Sequence, residues 1–449
     1  MGIPLAKYKF AVVSTDTGHN GTDSDGTFVI NNPETQYDFG YRAVHLSTTF
    51  AKVVVQNFHE EAAKKSYWIG CSSGGRQGLK EAEAFPEDFD GILAGAAAQW
   101  WTHLCGWAIQ VNLRNLPTLE GHLRPSDWKL ILNYTIQACN TLDGVKDDVI
   151  TSPSTCNPNL ESLLCSQDQL QLIDQNETMS TCLTEKRIAV AKSIYEDWVD
   201  ENGNLMFPSV FHGSEDFGDY LMTGVPFGPG PNYLKYQVLN FTKVSSDYQF
   251  TPQEVARLVK IADQTDPGQY NFNGDISPFI RRGGKLITYV GMSDPIIPSR
   301  ACNIGLISLI HPRKSKPNAQ SIMFHDHVKK NLGVDPRDSY RLFAVPGMGH
   351  CGGGPGASNM GAASQRDADS GDNLQSASFD AKHDMILALI EWTEKGTAPE
   401  ELITTKYVDG LSKNGIKFQR KLCPWPMMGK YVSGDPNSYE SYSCQAEQQ

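Results

Sequence analysis

Apolar side chains fall along the chain in two repeating rhythms. Residues 8–15, Tyr-Lys-Phe-Ala-Val-Val-Ser-Thr, are rich in β-branched and apolar residues and predict a buried strand. After a loop rich in Gly, Asp and Asn, residues 41–63 predict a helix, with apolar positions near a 3.6-residue period and acids and lysines at its end. Residues 66–70 predict a second strand, 73–84 a helix that opens on glycines, and 91–96 a third strand. Strand–helix–strand alternation at this spacing predicts a parallel sheet with crossover helices.

The alternation stops near residue 100 and returns near 283. The stretch between holds half of the cysteines and many Pro, Asn and Asp residues, and predicts an inserted lid domain over 100–282. Sheet patterning resumes at 284–290 and 340–345, and helical periodicity at 381–395. The expected fold is therefore α/β: a catalytic domain from 1–99 and 283–449, interrupted by the lid. Residues 352–376, rich in Gly, Ser, Ala and Asp, predict a mobile loop.

Composition narrows the class. The 449 residues suffice for a large domain with an insertion, and 40% hydrophobic with 20% charged content is ordinary for a globular protein. A net charge of -12 and a pI near 5.4 argue against nucleic acid and membrane surfaces as partners. No apolar run approaches the ~20 residues that span a bilayer. Ten cysteines and four sequons, at Asn20, Asn133, Asn176 and Asn240, favour the secretory route, with disulfides and N-glycans. The competing reading of the cysteines is a set of buried reduced thiols.

Candidate chemistry begins at Gly70-Cys71-Ser72-Ser73-Gly74, a G-x-S-x-G pattern placed after a strand and opening a helix. The glycines permit a strained turn that exposes the Ser72 hydroxyl, and the Ser73 N–H at the helix N-terminus is a natural oxyanion donor. The pattern alone also fits a plain strand-to-helix turn. A serine nucleophile needs a base and an orienting acid, and in this fold the chain order is Ser, acid, His. Asp294 follows the strand at 284–290 and His350 the strand at 340–345, both at strand carboxyl ends, where parallel-sheet active sites lie. Cys71 precedes Ser72 and Cys351 follows His350. If serine and histidine meet, these neighbours are close enough to form a disulfide.

Joined in this way, Cys-Ser, Asp and His-Cys resemble the signature of the fungal tannase and feruloyl esterase family. The matching stretches are Gly70 to Gly78, Asp294 and Gly349-His350-Cys351. Similarity extends from Thr15-Asp16-Thr17-Gly18-His19 to Leu422-Cys423-Pro424-Trp425-Pro426. The resemblance implies a secreted α/β-hydrolase with a large lid. Its substrates would be phenolic esters such as those of ferulate or gallate, attached to plant cell-wall polysaccharide or tannins. With short spacing, it also implies the pairs Cys139–Cys156, Cys165–Cys182 and Cys423–Cys444, leaving Cys105 and Cys302 over. It further implies a structural Ca²⁺ in the lid, held by side-chain oxygens of Asn140, Asp143 and Asp147 and by the carbonyls of Val145 and Val149. An all-oxygen set suits calcium. The family usually has Asp where this chain has Asn140, so one ligand charge is lost. Without the resemblance the stretch is an acidic turn, lacking the Gly and terminal Glu of an EF-hand.

One feature departs from the family. The strand at 8–15 stands just before the nucleophile strand, and the Gly-rich loop that gives a second oxyanion N–H is expected upstream of it. Met1 to Lys7 shows neither that loop, nor a secretory signal, nor a myristoylation signal. The chain therefore reads as N-terminally truncated. Three functions are weighed: a phenolic-acid esterase, a truncated member that is weakly active or non-catalytic, and a serine carboxypeptidase. The paired cysteines beside serine and histidine argue against the last.

Overall fold

A computed structural model describes residues 7–446 except 23, 171–180, 216–222, 227, 240–247, 267–269, 271–273, 300–320 and 366–375. A parallel sheet organises it. Its strands are β1 (Tyr67–Cys71), β2 (Gly91–Gly95), β3 (Lys285–Gly291) and β4 (Tyr340–Val345), in that spatial order. Tyr67 pairs with Gly91, Ile92 with Leu286, and Ile287 with Arg341. Helix α1 (Ala43–His59) precedes β1 and α2 (Ser73–Ala84) joins β1 to β2.

Side chains alternate between the two faces of the sheet, as a strand buried on both sides requires. Ile92, Ala94, Leu286 and Val290 pack with Leu79 and Ala82 of α2 and with Phe324 and Val328 of the helix Ser321–Leu332. Leu93, Ile287 and Tyr289 point the other way, onto Met385, Leu389 and Trp392 of the helix Met385–Lys395. The α/β-hydrolase class expected from the sequence is the one observed, with helices on both faces.

Between β2 and β3 the chain builds a second hydrophobic core. Trp101, Leu104, Trp107 and Val111 of the helix Trp101–Arg114 meet Trp128 and Ile131 of Pro125–Cys139 and Val255, Leu258 and Val259 of Pro252–Thr265. At the C-terminus two antiparallel ribbons form, Leu402–Tyr407 with Ile416–Leu422 and Met427–Tyr431 with Tyr442–Ala446.

Three local expectations are corrected. Residues 8–15 form no strand. Lys9 has a φ of 62°, and the segment makes no ladder with β1. Side chains hold it instead: Tyr8 Oη donates to Asp384 Oδ2 at 2.7 Å, and the Phe10 ring lies 5.5 Å from that of Tyr67. A cavity lies between the segment and the outer edge of β1, and strand composition makes no strand without backbone pairing. The helix predicted at 41–63 begins earlier, at Glu34, runs through a π-helical turn at Asp38–Arg42, and ends at His59. The described part of the predicted mobile loop, 352–365, is packed: Met360 is fully buried, Gln365 accepts the N–H groups of Met360 and Ala362, and Tyr289 Oη donates to the Ala363 carbonyl. Its small residues serve close approach, since a Cβ on Gly356 would stand 2.0 Å from the Pro346 carbonyl oxygen. Residues 366–375 of that stretch lie outside the described residues.

Candidate active site

Ser72 sits between the end of β1 and the first turn of α2, at φ 64° and ψ -119°, a conformation that an L-residue adopts only under constraint. The backbone supplies that constraint. Ser72 N–H donates to the Gly95 carbonyl at 3.0 Å, and its own carbonyl accepts from Arg76 N–H at 3.0 Å and Ala98 N–H at 3.1 Å. Glycines make the crossing possible. A Cβ on Gly70 would lie 2.6 Å from the Gly74 carbonyl oxygen, and one on Gly75 would lie 2.2 Å from that of Gly95. Gly74, the last glycine of the motif, has open space around it. The steric requirement thus falls on the first glycine of the pattern and on the residue just beyond it, not on the last glycine.

Asp294 follows β3 with its side chain fully enclosed. Its Oδ1 accepts the N–H groups of Ile296 and Ile297, both at 2.9 Å, and Oδ2 lies 2.9 Å from His350 Nδ1. The loops bearing the two residues are tied by main-chain bonds, Met292 N–H to the Val345 carbonyl and Ser293 N–H to that of Met348. Burial by itself lowers the His350 pKa, but the Asp294 charge and hydrogen bond outweigh it, and the imidazole ends above its ordinary value. An imidazole so placed accepts a proton readily.

The structure brings Ser72 and His350 to the wall of one cavity of about 1140 Å³, with no hydrogen bond between Ser72 Oγ and His350 Nε2 among the described residues. A disulfide joins their neighbours, Cys71 to Cys351, with Cα atoms 6.0 Å apart. Leu104, Ala108, Tyr233, Ile296 and Ile297 give the cavity an apolar side. Opposite, it runs between residues 9–16 and β1, whose outer edge pairs with no strand among the described residues.

The other predicted residues are placed as follows. Cys139–Cys156, Cys165–Cys182 and Cys423–Cys444 are bonded. Cys105 is buried and in no disulfide, and Cys302 lies outside the described residues. Asn20 and Asn133 are exposed, whereas Asn176 and Asn240 lie outside the described residues. Asn140, Asp143, Val145, Asp147 and Val149 share one loop after Cys139, knit by its own hydrogen bonds. No helix among the described residues is long and apolar enough to cross a membrane.

Two groupings escaped sequence reasoning. Arg76, one turn beyond Ser72, is wholly buried. It donates to the Gly40 carbonyl at 3.1 Å, and its guanidinium lies 5.3–5.7 Å from the ring centroids of Phe39, Trp101 and Tyr270. Its presence in the nucleophile signature was the available signal. His45, Glu81 and Asp88 also converge, with His45 Nδ1 2.6 Å from Asp88 Oδ2. These three are scattered over α1, α2 and the following turn, and no spacing rule joins them.

Comparison with known proteins agrees with this architecture. The family model described as tannase and feruloyl esterase matches residues 1–445. The chain is 33% identical over 443 residues to a probable feruloyl esterase B-1 from Aspergillus oryzae, covering 97% of this chain and 73% of that protein. The crystal structure of feruloyl esterase B from Aspergillus oryzae superposes with a TM-score of 0.82 at 30% identity, over 98% of this chain and 80% of the other. The tannin acyl hydrolase from Aspergillus niger, at 22% identity and a TM-score of 0.66 over 93% and 71% of the two chains, shares the fold. The chain belongs to the tannase and feruloyl esterase family, whose members are carboxylic ester hydrolases.

Proposed function

We propose that the chain hydrolyses phenolic-acid esters of plant material through an acyl-enzyme on Ser72. The observation that carries this reading is the His350–Asp294 pair held beside a constrained serine by the Cys71–Cys351 bond. Asp294 fixes the ring with Nε2 toward the cavity. His350 takes the Ser72 proton as Oγ attacks the ester carbonyl, then returns it to the departing alcohol. Ser73 N–H, at the start of α2, faces the negative charge on the carbonyl oxygen. Water, activated by the same histidine, then releases the phenolic acid. The segment 100–282 acts as the lid that shapes the acyl pocket. The four disulfides and the exposed sequon residues Asn20 and Asn133 support an extracellular setting.

The test is hydrolysis of methyl ferulate, methyl gallate and a peptide by the wild type and Ser72→Ala. Turnover of either ester, lost in the variant and absent on the peptide, is the expected result. Turnover that survives Ser72→Ala refutes the mechanism.

A second reading is favoured by the outer edge of β1, which pairs with no strand among the described residues. In it the 449-residue chain is weakly active or non-catalytic, because a further strand must complete that edge and bring the second oxyanion N–H. One missing donor lowers turnover by ~10²–10³. An N-terminally extended form that is no faster than this chain on methyl ferulate rules it out.

A further inference from the structure

The loop after Cys139 carries the residues that the family resemblance assigns to calcium, and the first of them, Asn140, does not fit that role. A calcium ligand must offer a free oxygen. Asn140 has one side-chain oxygen, and it already accepts two backbone donors, Asp147 N–H at 3.0 Å and Asp148 N–H at 2.8 Å. Both lone pairs of the amide oxygen are thereby engaged. The atom left over is Nδ2, a donor, 3.2 Å from Asp148 Oδ1. An aspartate here would keep the same two bonds on one oxygen and turn the second toward a metal.

Asp147 already has a partner on each carboxylate oxygen. Its Oδ1 accepts Val149 N–H at 3.1 Å, and its Oδ2 pairs with the Arg420 guanidinium. That guanidinium comes from the C-terminal ribbon and lies 4.3 Å from the Phe418 ring centroid and 4.7 Å from that of Tyr442. Asp143 Oδ1 accepts Val145 N–H at 3.0 Å and its Oδ2 the Thr151 hydroxyl at 2.6 Å.

We propose that this chain holds the loop without a metal ion. The Asn140 amide replaces one ligand, and Arg420 is the resident cation that neutralises Asp147 and clamps the loop to the C-terminal ribbon. The clamp reaches the active-site side of the fold. Val149 packs with Ala357 and Phe418, and its Cγ1 would lie 2.9 Å from a Cβ on Gly347, in the turn that leads to His350. The histidine loop is thus braced by covalently attached charge rather than by an exchangeable ion.

Calorimetric titration with CaCl₂, and melting in Ca²⁺ against EGTA, test this on the full chain. The wild type should show no 1:1 binding at micromolar calcium and the same melting temperature in both buffers. Asn140→Asp should bind calcium at least ~10-fold more tightly and melt higher in Ca²⁺ than in EGTA, because ligand charge sets affinity in such sites. Arg420→Gln should melt below the wild type in EGTA, while Arg420→Lys, which keeps the charge, should fall less. Micromolar 1:1 binding and chelator-sensitive melting of the wild type overturn the proposal. So does a folded Asn140→Asp that still ignores calcium. If that variant does not fold, an Arg420→Gln that melts like the wild type in EGTA decides against the clamp.

Discussion

His350 Nδ1 stands 2.9 Å from Asp294 Oδ2, while the other oxygen of that carboxylate accepts two main-chain N–H groups of its own loop. The acid cannot swing away from the ring without abandoning three bonds at once. Asp294→Asn would keep the shape but present an amide to Nδ1. Turnover should fall by about 10³–10⁴, with little change in melting temperature. Activity of the wild type should rise with pH through a midpoint above the ordinary imidazole value, because only the neutral ring acts as base. Loss of the carboxylate should move that midpoint down. A pH profile of kcat/KM on methyl ferulate measures both effects.

Cys351→Ser should affect stability and chemistry together. The bond closes a loop of 280 residues, and chain-entropy reasoning assigns such a closure up to about 5 kcal/mol. The melting temperature should drop, and kcat should fall more than KM rises, since the register of serine and histidine relaxes while the pocket persists. Calorimetry and steady-state kinetics on one preparation check this.

Neighbouring glycines should respond in opposite ways. Gly75→Ala places a methyl against the Gly95 carbonyl and the Ala97 Cα, backbone atoms that cannot step aside, and should destabilise by roughly 1–3 kcal/mol. Gly74→Ala meets nothing within 4 Å and should be neutral or slightly stabilising, because alanine favours the helix. Denaturant midpoints distinguish them.

Glu81 yields an alkaline prediction. Burial, then the neighbouring Asp88, raises its carboxyl from 4.5 to about 9. The folded state therefore keeps a proton that the unfolded chain releases above 4.5. Its contribution is complete below pH 4.5 and is lost as pH rises through about 9. Glu81→Gln has no proton to lose, so its melting temperature should gain on that of the wild type steadily across this interval.

What the sequence disclosed, it disclosed through local rules. The sheet strands and α2 obey short-range periodicity, and the meeting of Asp294 with His350 follows from chain order and strand-end placement. The Cys71–Cys351 pair was legible because two cysteines flank those residues. What escaped depends on distant partners. Residues 8–15 have strand composition but make no ladder with β1. Residues 352–365 have the composition of a flexible segment, yet their small side chains let them press against the turn before His350. Arg420 lies some 270 residues from the loop that it neutralises, and only the fold puts the two together.

The Cys71–Cys351 bond also orders events in time. Synthesis at ~5–20 residues per second separates the nucleophile turn from its histidine by roughly 15–60 s. Six cysteines emerge during that interval, at 105, 139, 156, 165, 182 and 302, and the four from 139 to 182 pair among themselves. Each of these four has a mate only 17 residues away, so each pair can close before residue 351 exists. Local bonding thereby removes four of the six competitors for Cys71. A polypeptide interrupted anywhere before residue 350 lacks both His350 and Cys351, so neither the contact with Asp294 nor the bond to Cys71 can form until most of the 449 residues have been made.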